Sequence, residues 1–495
     1  MSENIRKSNA VNMGGQEKVQ YRRAKKWEII LGMANNGTDV AFYLLMGFAS
    51  MIAVEGYGIA MVVAGVLLTV MRILFGTMDA VISGIFEKFN PRRGKIQIFM
   101  LLGWLCCTCG AMLLYNLCAG RFEGIVGFLV FVLSYLIFLV GYSINTIGGG
   151  TVGIVITNDP AQRALAGVAG TVFSYAVPLI FTNITTFIIL PKYDYQYNTA
   201  MFGEMVLWYA VISLVFVLLT CIGIYKVDVR ETFISSKGAK REAKVSVRDM
   251  WAVIKENRNV QIYMLTGVAN KLAQQTGTQS VILTLLNGVL IGSYAASTMV
   301  SNFTQIVGIL FVFSGGIFIA KWGSKRTTIV WSWISTLIAG FTIGFCLLLG
   351  GPEGMKKIGV VGIPICVWAV LQLAKSGATM ILTTTNQTMK ADVVDDEYDR
   401  SGNYLPAIVS GIYSFVDKLV SSLGSTIAAV AVTFVGYVNS IPQLGDEATW
   451  PRFWMCMFLA FGLPMLGWIC NIIAMRFYNL DRERMVEIQK HLSQK

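Results

Sequence analysis

The 495-residue sequence predicts an all-α membrane protein with twelve transmembrane helices in two six-helix halves and both termini in the cytosol. Three observations carry that prediction. The chain is 55% hydrophobic and only 14% charged, with a mean hydropathy of +0.61, a balance that a water-soluble chain of this length does not tolerate. Twelve apolar stretches recur along it, each able to span a hydrocarbon layer of about 30 Å at about 1.5 Å per helical residue. Lys and Arg cluster in alternate loops. Helix is the required form, because lipid offers no partner to the backbone groups of an open strand.

The stretches run Trp27 to Ala53, Gly58 to Phe86, Ile96 to Leu117, Gly124 to Ile147, Leu165 to Leu190, Met205 to Tyr225, Val260 to Ile291, Ser293 to Ala320, Thr327 to Leu349, Ile358 to Thr385, Leu405 to Tyr437 and Phe453 to Phe477. Residues 1–26 are polar and basic, without an apolar signal core or a small-residue cleavage site, and read as a cytosolic tail. Lys88, Arg92, Arg93 and Lys95 follow the second span; Arg230, Lys237, Lys240, Arg241, Lys244 and Arg248 follow the sixth; Lys321, Lys325 and Arg326 follow the eighth. The opposite loops carry only Arg121, Lys192, Lys356, Lys357 and Arg452. This asymmetry orients the chain in the cytoplasmic membrane as a multi-pass protein. It also explains the net charge of +12 without a nucleic-acid partner.

The domain plan is a tail (1–26), an N-terminal half (27–226), a cytosolic linker (227–259), a C-terminal half (260–478) and a C-terminal tail (479–495). Chemistry is restricted by what is missing. Nine cysteines lie almost entirely in apolar helix and read as space-filling, and the single histidine, His491, is in the tail. With no imidazole, nucleophile or metal cluster at depth, neither an enzyme nor a metal or organic cofactor is expected, and proton chemistry falls on carboxylates.

The two halves echo each other. Gly84-Ile-Phe-Glu-Lys-Phe-Asn-Pro-Arg-Arg-Gly-Lys95 and Gly316-Ile-Phe-Ile-Ala-Lys-Trp-Gly-Ser-Lys-Arg326 share a small residue, an apolar pair and cations flanking a turn glycine, 232 positions apart. Such a parallel repeat is the plan of major facilitator transporters, whose site lies between halves near the midplane. Arg92, Arg93 and Lys95 are gating candidates, with Asp392 and Asp395 as carboxylates they could latch. The competing reading makes them positive-inside anchors.

Isolated charges in apolar helix are the strongest functional signal, since each costs at least about 2.5–3.5 kcal/mol to insert. Arg72, Lys271, Lys375 and Lys418 stand near the centres of four stretches. Asn35, Asn36, Thr38 and Asp39 enter the first, with Asn36, Asp39 and Tyr43 spaced to share a helical face. Amide and carboxylate groups suit sugar hydroxyls, and an aromatic ring suits a pyranose face. Lys271 neighbours Gln274 and Gln275 at i+3 and i+4, and Gln372 precedes Lys375 by three. Interhelical hydrogen bonding is the alternative for each polar group, and a static salt bridge the alternative for Arg72 and Asp79.

Met71-Arg-Ile-Leu-Phe-Gly-Thr-Met-Asp-Ala80, the Asn90-Pro-Arg-Arg-Gly-Lys95 loop, Met389-Lys-Ala-Asp-Val-Val-Asp-Asp-Glu-Tyr-Asp-Arg-Ser-Gly402, Lys418 and Gly436-Tyr437 together carry a resemblance. The chain resembles the glycoside-pentoside-hexuronide:cation symporters, the melibiose-permease-like branch of the major facilitator superfamily, from Trp27 to Tyr478. The resemblance implies the major facilitator fold and a sugar substrate moved with a cation. Departures are specific. Phe75 stands where the family has the first acid of its second helix, Ala80 replaces a proline, Thr146 lies near an expected aspartate, and Asn35 or Asn36 falls near an expected sugar-binding acid.

The expectation is a monomeric secondary transporter of a glycoside. Four midplane cations against three acids favour an acidic one such as a hexuronide. Asn35, Asn36, Asp39, Tyr43, Arg72, Lys271, Gln274, Gln275, Gln372, Lys375 and Lys418 are the candidate substrate contacts; Asp79 and Asp39 are the candidate coupling acids. A proton is the expected coupling ion, with sodium as the alternative. A neutral-oligosaccharide symporter or uniporter, and a lipid flippase, are the rival functions.

Overall fold

The computed structural model describes residues 23–494 apart from Asn90, 158–159, 230–254 and 402–405. Most of the expected N-terminal tail and linker therefore lies outside the described residues. Helix dominates what is described, and β pairing is limited to one bridge, Arg93 to Val229, among the described residues. The helices used below are α1 (Lys26–Gly32), α2 (Asn35–Gly47), α3 (Ala49–Tyr57), α4 (Met61–Lys88), α5 (Lys95–Met112), α6 (Gly124–Ile156), α7 (Pro160–Asn183), α8 (Thr199–Ile224), α9 (Arg258–Gly277), α10 (Ser280–Thr284), α11 (Tyr294–Leu348), α12 (Ile363–Ser401), α13 (Pro406–Phe434), α14 (Trp450–Met457), α15 (Leu463–Met475) and α16 (Arg482–Gln494).

Eight helices among the described residues are long and apolar enough to cross a membrane, or nine if one bent pair counts as a single span. The expected twelve are not reached by that measure, for local reasons. The first stretch is broken, with α2 and α3 meeting at a 45° bend. In the seventh, Asn270, Lys271, Gln274 and Gln275 lower the hydropathy of α9, which ends at Gly277 before α10 resumes. The eighth and ninth run together as α11, turning at Gly323, whose φ of 79° is readily reached only without a Cβ. The eleventh runs as one continuous helix, α13, and the side chains of 406–419 lie outside the described residues.

Two compact units result. One comprises Met1–Gly58 with Leu74–Arg241, the other Ile59–Ile73 with Glu242–Lys495. Within the first, α5 packs along α6. Gly103, Gly110 and Gly141 let the backbones approach so closely that an added Cβ at Gly141 would stand 2.2 Å from the Cys107 nitrogen. Within the second, the early turns of α4 pack on α13. Thr69 Oγ1 donates to the Ser422 carbonyl at 2.6 Å and lies 2.6 Å from Thr426 Oγ1, while Thr426 Oγ1 donates to the Gly65 carbonyl at 3.0 Å. Hydroxyl pairing of this kind holds helices together where lipid supplies no hydrophobic drive.

Candidate functional site

In the first unit, polar groups converge on one segment of α6, Tyr142-Ser143-Ile144-Asn145-Thr146. Asn145 Nδ2 donates to Asp39 Oδ1 of α2 at 2.7 Å. Two residues earlier on the same helix, Ser143 Oγ donates to Asp79 Oδ1 of α4. Tyr142 lies within charge-interaction range of both carboxylates. Asp39 and Asp79 thus occupy adjacent stations on a single helix. No Lys or Arg among the described residues forms a salt bridge with Asp39.

The first helix divides its polar face. A Cβ on Gly149 of α6 would meet Asn35 Nδ2 at 2.1 Å, and one on Gly170 of α7 would meet Asn36 Nδ2 at 2.6 Å. Asn35 and Asp39 therefore face α6, whereas Asn36 turns to α7. Thr38 Oγ1 donates to the Ser213 carbonyl of α8 at 3.0 Å, and Tyr43 is 46% exposed. Phe75 sets its ring 6.0 Å from that of Tyr142, an apolar contact where the resemblance implies an acid. The Thr146 hydroxyl donates to the carbonyls of Tyr142 and Ser143 in its own helix.

The second unit holds the cations. Arg72 follows Thr69 by one turn of α4, and its Nε is buried without a hydrogen-bond partner. Gly65 pairs with Thr426, and Thr69 with Ser422, so α4 and α13 run antiparallel. Continued by one turn, that register brings position 418 level with Arg72. The side chain of Lys418 lies outside the described residues. Gln372 Nε2 is likewise buried and unpartnered. Lys271 and Gln274 lie on α9, Lys271 half-buried and Gln274 exposed. Gln275 is 9% exposed and packs against Gly424 of α13.

Lys375 has a different environment. Its ammonium donates to the Ala460 carbonyl at 3.1 Å and sits 4.2 Å above the Phe461 ring. Both acceptors belong to the π-helical turn Phe458–Gly462 between α14 and α15. A π turn leaves a backbone carbonyl in need of a donor, and Lys375 provides it.

The gating candidates separate as well. Arg92 and Arg93 are exposed, and the Lys95 ammonium lies 4.4 Å over the Phe86 ring. Asp228 closes this turn: its carbonyl accepts from Gly94 N at 3.0 Å and its carboxylate from Ile96 N and Gln97 N at 3.2 and 3.0 Å. It caps the start of α5 as an acid should. Burial nevertheless pushes the Asp228 carboxyl above its ordinary range, outweighing those bonds and Lys95. Asp392 accepts from Ser324 Oγ at 2.5 Å; Asp395 is half-buried on α12.

Sequence reasoning missed Ser143, Asn145, Asp228 and Thr69. For Asn145 the available signal was an amide inside a nearly uninterrupted apolar span, and for Asp228 an acid just before a basic run.

Long apolar helices define an integral, multi-pass membrane protein, with polar and charged side chains set among them. Comparison with known proteins narrows the class. The family model described as MFS/sugar transport protein matches residues 30–482. A glucuronide carrier protein homolog of Escherichia coli (strain K12) is 21% identical over 422 residues, covering 84% of this chain and 86% of that one. Among solved structures, the nucleoside transporter NupG is similar at a TM-score of 0.57 and 12% identity, over 92% of this chain and 98% of that one. A bacterial homologue of the iron transporter ferroportin in an inward-facing state gives 0.58 and 12%, over 91% and 98%. The structural likenesses show the fold alone. The chain belongs to the MFS/sugar transport protein family, as the resemblance read from its motifs implied. It is of the transporter class and not an enzyme.

Proposed function

We propose that the protein carries an acidic glycoside, of the hexuronide class, across the cytoplasmic membrane by alternating access, coupled to a monovalent cation. The observation that carries this reading is the register of α4 on α13, which sets two cationic positions, 72 and 418, at one level of one helix pair. The buried Arg72 Nε has no partner. A buried guanidinium N–H left without an acceptor in an apolar helix is costly, and a carboxylate is the ligand whose planar, two-oxygen geometry fits it. Gln372, with its own buried donor unmet, and Lys271 and Gln274 supply further groups for hydroxyl oxygens in the same unit. In the other unit, Asn36 and Tyr43 are the sugar-ring contacts, while Asp39 and Asp79 serve the coupling ion. The named likeness to a glucuronide carrier homolog supports an acidic sugar. The chain acts as a monomer.

Uptake into proteoliposomes tests this directly. Accumulation of a glucuronide, but not of the matching neutral glucoside, under an imposed proton or sodium gradient is the expected result. Absence of accumulation of either solute under both gradients would sink the glycoside-symport reading. Preference for the neutral sugar would remove the role given to Arg72 and Lys418.

Lys375 is assigned to structure. Lys375→Ala is expected to lower stability by about 1–3 kcal/mol, because the Ala460 carbonyl loses a buried donor, while glucuronide affinity is unchanged. Titration calorimetry beside a melting curve separates the two effects. A weakened affinity at wild-type stability would return Lys375 to the binding groups.

A further inference from the structure

Within the second unit α9 is held from two sides, packing along α15 and along α13. On the α15 side, Asn471 Nδ2 donates to Asn270 Oδ1 at 2.8 Å. Two turns further on, Gly277 lies against the π turn Phe458–Gly462, where an added Cβ would stand 3.3 Å from the Leu459 carbonyl oxygen. Asn270 and Gly277 are about 20° apart around an α-helix, so these contacts share one face. On the α13 side, Gln275 packs against Gly424, about 140° round from Asn270. Gln274 and Lys271 fall between the two faces, at about 40° and 100° from Asn270. The packing that sets the rotation of α9 therefore also sets the direction of these two candidate solute contacts.

Asn471 is an expensive way to hold two helices together. It is the one amide in α15, it is 0% exposed, and its Oδ1 has no hydrogen-bond partner. An apolar side chain of similar volume would fill the same place without the unmet acceptor, so the amide is not there for stability. A buried amide in an apolar helix contact specifies register at a cost in stability, because a single alignment brings it to its partner. Here the alignment selected is the height and rotation of α9 on α15.

We infer that Asn471 is a positioning residue, which through Asn270 fixes the rotation of α9 and so aims Lys271 and Gln274 at the solute. Its own side chain is buried and meets no solute. A turn of α9 by about 20° moves a side-chain tip by about 2 Å at the roughly 5–6 Å radius of an α-helix. That displacement takes a hydrogen bond out of range. The inference rests on the glycoside reading for what Lys271 and Gln274 meet, but the orientation of α9 is measurable without any sugar. Failure of one is therefore distinguishable from failure of the other.

The experiment compares the full-length wild type with Asn471→Leu and with the double variant Asn270→Leu/Asn471→Leu, in which neither amide is left unpaired. Initial rates of phenyl glucuronide uptake into proteoliposomes give KM and Vmax, and melting curves give stability. A Gln274→Cys change in each background gives the rate at which a maleimide labels position 274, read by peptide mass spectrometry. The double variant melts at or above the wild-type temperature, while its KM rises at least about tenfold at unchanged Vmax, as when a binding group loses its supporting hydrogen bond. Labelling at 274 changes at least about threefold, because thiol reactivity follows exposure and the helix has turned. If Asn471→Leu alone does not fold, the double variant decides; if neither folds, the pair is a packing element and the assignment falls. Wild-type KM in the folded double variant overturns it too, as does a raised KM with labelling at 274 unaltered. If the wild type itself takes up no glucuronide, the glycoside reading fails and labelling decides alone: an altered rate upholds the positioning of α9 by Asn471, and an unaltered one removes it.

Discussion

Replacing Asp39 by asparagine is expected to lower gradient-driven accumulation of the solute at least about a hundredfold, or about 2.7 kcal/mol at about 1.36 kcal/mol per tenfold change. The protein should remain folded. Asparagine keeps an oxygen that accepts from Asn145 Nδ2, so the contact between α2 and α6 survives. What it loses is charge. A carboxylate among apolar helices, with no salt-bridge partner among the described residues, is stabilised by taking up a proton or a cation, and an amide takes up neither.

Coupling and passage should therefore separate in this variant. Counterflow with solute at equal concentration on both sides is expected to persist, because it needs no ion gradient, whereas uphill accumulation is lost. Measuring both in the same liposomes checks the assignment. Wild-type accumulation by Asp39→Asn would reduce the residue to helix packing, and loss of both activities would place it among the sugar contacts.

Much of this site was legible from polarity alone. Asp39, Asn35 and Arg72 are expensive in apolar helix, and expense identifies them before any fold is known. Their partners were less visible. Asn35 and Asn36 are adjacent in sequence and about 100° apart on a helix, so only the packing decides that one meets Gly149 of α6 and the other Gly170 of α7. Asn145 sits in a strongly apolar stretch of the N-terminal half, where a single amide reads as interhelical adhesive. Lys375 resembled the other intramembrane cations until the π turn at Phe458–Gly462 supplied its acceptor. Such a turn is a local change of backbone bonding with no residue signature.

The helix count shows the same division between composition and geometry. Uniformly apolar spans such as Gly124 to Ile147 emerged as long helices, here α6. Two of the stretches that carry polar groups emerged broken, the first at Met33–Ala34 and again at Phe48 and the seventh after Gly277, whereas α4, with Arg72 and Asp79, and α12, with Gln372 and Lys375, run unbroken. Polar content alone therefore does not decide where a span breaks. Sites that must hold ions or sugars need exposed backbone or polar side chains, and both weaken the apolar helix that contains them.

Close packing of α5 on α6 is what aims Asn145 at Asp39, and it is open to a sharp test at Gly141. An added Cβ there would lie 2.2 Å from the Cys107 nitrogen, 2.6 Å from its Cα and 2.7 Å from the Cys106 carbonyl carbon. All three are backbone atoms, so no rotamer change relieves the clash and the helices must part. The displacement reaches function because Gly141 lies one turn before Asn145, whose own backbone nitrogen would stand 2.4 Å from a Cβ on Gly103. Gly141→Ala is expected to lower stability by about 2–3 kcal/mol, the upper range for overpacking a well-filled contact, and to lower gradient-driven accumulation as Asn145 shifts away from Asp39. Gly150→Ala on the same helix provides the comparison, since its Cβ would meet nothing within 4 Å. That change should be neutral or stabilise by up to about 1 kcal/mol through helix propensity. Paired melting curves decide the point: if the two alanines behave alike, the seam has slack and does not position Asn145.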